Sequence, residues 1–182
     1  WDSADSITAG SDGAIYISGR TEGNLDGQTN SGNGDAFITK FLPDGTKSWT
    51  QLLGSDSWDG ATSMAAGADG AIYVSGYTYG NLDGQTNSGN GDVFITKYLP
   101  DGTKSWTQLL GSDSGDYALS MTTGTDGAIY VSGVTGGNLD GQSNSGQSDA
   151  FITKYETNSN SIISKLSTAQ ISALSTSVIA AI

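Results

Sequence analysis

A period of 57 residues governs what this chain can fold into. "DGAIYISG" at 12–19 returns as "DGAIYVSG" at 69–76 and at 126–133, and "PDGTKSWTQLLGSDS" at 43–57 returns at 100–114. Repetition at a fixed period means a unit that stacks on copies of itself. The stack buries an apolar face that one copy cannot bury alone. The units are 1–57, 58–114 and a partial third at 115–158. Units one and two differ at ten positions. The third stops after "FITKY" at 151–155 and lacks the Pro-Asp-Gly segment.

Each unit reads as four strands joined by turns. The first covers Ser3–Ala9, with Gly60–Ala66 and Tyr117–Thr123 as its equivalents. Asp12-Gly13 marks the first turn. "AIYISG", "AFITKFL" and "KSWTQLL" follow as strands, with Pro43-Asp44-Gly45 as the turn between the last two. Four consecutive strands connected in this way make an antiparallel meander. In "DAFITKFL", Phe37, Thr39 and Phe41 face one way and Ala36, Ile38 and Leu42 the other. "AIYISG" is apolar on both faces, so both are covered. A small meander buried on both faces and repeated at a constant period is what a β-propeller blade requires.

The run "DGAIYVSGYTYGNLDG…GDVFITKYLPDGTKSWTQLLGS" resembles the bacterial β-propeller repeat known as SBBP, over about residues 1–155. The resemblance implies tandem propeller blades in a bacterial protein that is secreted or held at the cell surface. It implies no particular activity. Closing a ring takes about four to eight blades, and the chain offers fewer than three complete ones. It is therefore expected either to belong to a longer parent chain or to close its ring by associating with itself. A three-fold β-trefoil is the alternative fold. The chain begins at Trp1 with no visible leader, which reads as a mature or excised piece of a longer protein.

Composition changes after Tyr155. "ETNSNS" reads as a polar linker, and 161–182 contain no Gly, Pro or aromatic residue. Ile162, Leu166, Leu174, Val178 and Ile182 recur at multiples of four, and Ser167 and Gln170 are spaced as a capping box. This pattern predicts a short helical tail over 159–182. A Ser/Thr-rich linker is the other reading.

Net charge is −12, which disfavours nucleic acid and anionic membrane as partners. No Cys or His is present, so thiol chemistry, imidazole bases and ordinary zinc sites are excluded. Carboxylates and Lys are the remaining acid–base groups; the candidate carboxylates recur from unit to unit within turn motifs, and Glu22 and Glu156, the only Glu residues, have no evident partner in the sequence. A catalytic site breaks a repeat once, so an enzyme is not expected.

Two candidate sites remain. "NLDGQTNSGNGD" at 24–35 recurs at 81–92 and, as "NLDGQSNSGQSD", at 138–149. Its oxygens suit Ca²⁺, a hard cation that takes about six to eight oxygen ligands. The candidate ligands are Asp26, Asn30 and Asp35; Asp83, Asn87 and Asp92; and Asp140, Asn144 and Asp149. The spacing is not that of an EF-hand, and a loop fixed by Asx turns and its own backbone reads equally from these residues. The second site is aromatic. Trp1 and Trp58 start their units, where the third has Gly115. Positions Arg20, Tyr77 and Val134, and Glu22, Tyr79 and Gly136, also vary between units. Trp1, Trp58, Tyr77 and Tyr79 are candidate glycan-stacking residues of a lectin, whereas Trp49 and Trp106 read as packing residues. The expected function is a non-enzymatic extracellular structural or binding module, calcium-stabilised in one reading and a glycan-binding lectin in the other.

Overall fold

The computed structural model describes residues 1–157 and 169–171. Twelve strands form three four-stranded antiparallel sheets. Sheet 1 holds β1 (Asp2–Ala9), β2 (Ile15–Thr21), β3 (Asp35–Phe41) and β4 (Lys47–Leu53). Sheet 2 repeats this with β5 (Asp59–Ala66), β6 (Ile72–Thr78), β7 (Asp92–Tyr98) and β8 (Lys104–Leu110). Sheet 3 holds β9 (Asp116–Thr123), β10 (Ile129–Thr135), β11 (Asp149–Tyr155) and β12 (Ala169–Ile171). The units are thus separate meanders. A trefoil would require strands of different repeats to share a sheet, and the observed pairing corrects that alternative.

The register is the same in each unit. Thr21 faces Asp2 on one side and Asp35 on the other, as Thr78 faces Asp59 and Asp92. A bulge interrupts the first pair at Ala4/Ser6, Ala61/Ser63 and Ser132/Gly133. This bulge explains the glycine that closes "IYISG": a Cβ on Gly19 would overlap the Ser3 carbonyl oxygen, and the same holds at Gly76 and Gly133.

The core lies between sheets. One cluster joins Ala36, Ile38 and Leu53 of sheet 1 to Met64, Ile72, Val74 and Phe94 of sheet 2. The other joins Tyr73, Val93, Ile95 and Leu110 of sheet 2 to Met121, Ile129, Val131 and Phe151 of sheet 3. Each sheet therefore has a leading face, carrying Ile72 and Phe94 in sheet 2, and a trailing face, carrying Tyr73 and Ile95. The inner strands pack in series, β1 on β5 and β5 on β9. The array is open, with the leading face of sheet 1 and the trailing face of sheet 3 at its ends.

The expected helical tail is corrected at Ala169–Ile171, which pair as a strand with β11. Ile171 stands opposite Ala150 as Leu53 stands opposite Ala36, so the tail supplies the missing fourth strand. The sequence carries the reason. Lys165 and Thr168 of "KLSTAQI" repeat the Lys47 and Thr50 of "KSWTQLL". An apolar pattern at multiples of four also hides an even-numbered alternation, and the open edge of β11 decides between them. The rest of the expected helix, at 159–168 and 172–182, lies outside the described residues.

Candidate functional site

The polar loops come first, because their residues repeat most faithfully. Leu25 and Gln28 bridge across a two-residue turn in which Asp26 and Gly27 have φ of 50° and 78°. Positive φ at both central positions is the mirror-type hairpin turn that Asp-Gly favours. The hairpin folds onto the free edge of β4. Gln28 Nε2 donates to the Thr50 carbonyl at 2.5 Å, and its Oε1 accepts from Leu52 N at 3.1 Å. The Asp26 carboxylate accepts from Lys47 Nζ and Thr50 Oγ1. Those two donors hold its pKa below the usual carboxylate value. The second loop repeats the arrangement with Asp83, Lys104, Thr107 and Gln85.

The other half of each loop closes on itself. Asn30 Nδ2 donates to the Thr21 carbonyl, its Oδ1 accepts from Gly32 N, and its backbone N–H donates to Asn24 Oδ1. Asn87 and Asn144 repeat all three bonds. Asp35 accepts from Ser31 N, Asp92 from Ser88 N and Asp149 from Ser145 N. Asp26, Asn30 and Asp35 thus serve different partners. Among the described residues no group of three or more acidic side chains comes together that could hold a metal ion. As the loop is built, the Asp26 side chain is held by β4, Asn30 by the Thr21 carbonyl and Asp35 by Ser31 of its own loop. Leu82 and Leu139, inside the loops, are fully buried in the intersheet cores.

A row of carboxylates runs along the sheet junctions beside these loops. Asp59 N donates to the Gly34 carbonyl, and Asp116 N to that of Gly91, each at 2.8 Å. Asp35 and Asp59 therefore lie side by side, as do Asp92 and Asp116, and all four are fully buried. Asp59 and Asp116 accept through Oδ2 from the backbone and hydroxyl of Ser55 and Ser112. Among the described residues Oδ1 of Asp92 and Asp116 has no hydrogen-bond partner, whereas the Thr78 side chain, opposite Asp59 in the register, contributes a hydrogen bond to the Asp59 carboxylate. Burial raises the pKa of Asp35, Asp59 and Asp92. For Asp35 and Asp92 the neighbouring carboxylate adds to the rise.

The varying residues gather at this same end of the strands. Tyr77, Tyr79 and Tyr117 form an edge-to-face trio with ring centroids 5.5, 6.0 and 6.2 Å apart. Such aromatic pairs are individually favourable. Gly60, opposite Tyr77 in the register, leaves room for the Tyr77 ring. The Tyr79 and Tyr117 hydroxyls lie 3.1 Å apart, and that bond with partial burial raises the Tyr79 pKa to about 12. Arg20, the only arginine of the chain, donates to Tyr77 OH at 3.4 Å. Its guanidinium also lies 4.7 Å from the Trp1 ring centroid. Tyr79 is 41% exposed and Trp1 74%. The Trp58 carbonyl accepts from the Tyr79 backbone N–H, and the Trp58 ring lies over Gly34.

The structure thus brings Trp1, Tyr77 and Tyr79 into one patch and leaves the Trp58 ring outside it. Sequence reading missed Tyr117. Its signal was the position itself, which holds Ser3, Gly60 and Tyr117 in the three units. Trp49 is a packing residue: it meets Tyr16 at 5.9 Å and Tyr98 at 6.5 Å, and its Nε1 donates to the Pro100 carbonyl of the next unit. Lys40 bridges Asp12 at 2.7 Å and donates to the same carbonyl at 2.8 Å.

No known family's sequence model matches the chain. The sequence is similar to the regulatory protein FlaEY of Caulobacter vibrioides, with 27% identity over 170 residues. That match covers 83% of this chain and 18% of the relative, so the chain spans a minor part of the protein it resembles.

Proposed function

We propose that this chain is a run of β-propeller blades serving as a non-enzymatic binding module outside the bacterial cell, and that it binds glycans at the tyrosine patch. One observation carries the reading. The residues that repeat faithfully are engaged in holding the scaffold, whereas residues that break the repeat (Arg20, Tyr77, Tyr79 and Tyr117) converge on one surface. Exposed phenol rings offer flat apolar faces to the C–H side of a sugar. Their hydroxyls and the Arg20 guanidinium offer donors to its oxygens. The acidic surface disfavours polyanions and leaves neutral polysaccharides as the ligand class. The test is retardation on gels cast with neutral polysaccharides. Wild type migrates late and Tyr79→Ala migrates as on a plain gel. Equal mobility of wild type with and without every polysaccharide refutes the reading.

A further inference from the structure

We propose that the leading face of sheet 1 is a docking face for the trailing face of sheet 3 in a second copy of this chain, joined head to tail. The inference rests on the blade reading above, but not on glycan binding. Its warrant is that the chain contains both halves of the joint twice over. In sheet 2 the leading face is covered by sheet 1, and Met64 and Ile72 are 6% and 1% exposed. Their equivalents in sheet 1, Ile7 and Ile15, are 70% and 38% exposed. Phe37 on the same face is 7% exposed, so the open part of the face centres on Ile7 and Ile15, whose equivalents in sheet 2 are buried by a neighbouring sheet. At the other end, Val93, Ile95 and Tyr73 are fully buried under sheet 3. Their sheet 3 equivalents are open among the described residues: Ala150 is exposed, and Ile152 and Tyr130 are half-buried.

The polar parts of the joint repeat as well. Ser6 Oγ accepts from Met64 N, and Ser63 Oγ from Met121 N, across the two existing joints. Ser120 is the next member of that series and is exposed on sheet 3. Its counterpart donor is Ile7 N of the second copy. Lys40 Nζ reaches the Pro100 carbonyl one unit on. Lys154 is its equivalent in sheet 3, and Pro43 of the second copy is the equivalent of Pro100. The serine and lysine contacts of the joint between sheets 1 and 2 therefore have their partners when sheet 3 meets sheet 1 of another copy, although the Trp49 and Arg20 positions are filled by Ser167 and Val134 in the third unit. Such a heterologous contact either closes, as two chains in a six-bladed ring, or propagates as a fibre.

Sedimentation velocity of the whole chain across a hundredfold concentration range tests this. The expected result is a concentration-dependent species of twice the 18.6 kDa chain mass, or a longer series. Ile7→Asp and Ile152→Asp alter opposite ends of the joint, so each alone sediments as a monomer. Mixed in equal amounts they form a heterodimer, because each supplies the face the other lacks. Far-UV circular dichroism and thermal midpoints confirm that both variants stay folded, as the exposure of Ile7 and the partial exposure of Ile152 lead one to expect. A wild type that stays monomeric throughout overturns the proposal, as does a dimer broken by only one of the two substitutions. Retained polysaccharide binding by a monomeric wild type overturns the docking and leaves the function standing.

Discussion

Leu82→Ala and Leu25→Ala are the same substitution at equivalent positions of identical twelve-residue loops, and they are expected to differ sharply in cost. Leu82 is fully buried between sheets 1 and 2, in a cluster with Ile38, Leu53 and Phe94. Truncating a buried leucine to alanine removes its transfer free energy and leaves a cavity, at about 2–5 kcal/mol. Leu25 has no sheet in front of it and is half-buried. Its truncation loses only part of the transfer term and leaves no closed cavity, so a cost below about 1 kcal/mol is expected on a scale of about 25 cal/mol per Å². The backbone bonds of the loop, Leu25 with Gln28 and Leu82 with Gln85, are the same in both. The loop therefore cancels in the comparison, leaving only the joint. The assay is urea unfolding followed by tryptophan fluorescence, at a concentration where the chain is monomeric. Trp49 reports the joint between sheets 1 and 2 and Trp106 that between sheets 2 and 3. Leu82→Ala shifts the midpoint strongly and Leu25→Ala barely. Equal costs at monomer concentration would refute the reasoning, because they would place the loop leucine's stabilising contacts within its own unit.

Asp59→Asn is expected to stabilise the protein at pH 7 by about 1–3 kcal/mol, since it removes a buried negative charge that stands beside Asp35 and whose desolvation outweighs its hydrogen bonds from Ser55 and Thr78. Burial raises the folded-state pKa of Asp59 above 3.8, so the folded state binds this proton more tightly and the contribution of Asp59 to stability falls as pH rises above that value. The gain from Asn therefore shrinks as pH drops toward 3.8, and pH-dependent thermal melts that show the opposite trend contradict the assignment. Thermal midpoints in millimolar calcium and in EDTA are expected to coincide, because Lys47 and Thr50 already occupy the Asp26 carboxylate. A calcium-dependent rise of several degrees, the size expected for about 2.7 kcal/mol at a hundred dissociation constants, would show that the cation displaces the lysine. Tyr117→Phe keeps the ring and removes the hydroxyl partner of Tyr79, so it is expected to return the Tyr79 pKa from about 12 toward 10.0 in a spectrophotometric titration.

Strand positions, turns and the four-stranded unit were legible because they follow local rules. Asp-Gly and Pro-Asp-Gly mark turns, and period-two alternation marks faces. The double-sided burial of "AIYISG" also announced sheets stacked face to face. The twelfth strand was not legible from local pattern, because "STAQI" satisfies a helical stripe as readily as a strand. Only comparison of its Lys and Thr with those of "KSWTQLL" separates the two. The oxygen-rich composition of the loops was legible, but composition does not say where a side chain points. The structure sends Asp26 to β4, Asn30 back to β2 and Asp35 to its own loop. The tyrosine patch was half legible. Variation between copies marked Tyr77 and Tyr79, but Tyr117 meets them from the next unit, and that proximity is a property of stacking.

The loop hairpin that folds onto β4 decides how a protein of this kind can grow. By offering the Gln28 amide to the Thr50 carbonyl and the Leu52 amide, it removes the hydrogen-bonding invitation that an outer strand extends to any passing chain. Addition at that edge is closed off, while addition on the flat faces stays open. Lengthening by duplication of a 57-residue segment then brings its own seal with each new copy. The number of units becomes free to change without opening a further outer edge to strand addition, so near-identical neighbours in one chain do not exchange strands at that edge.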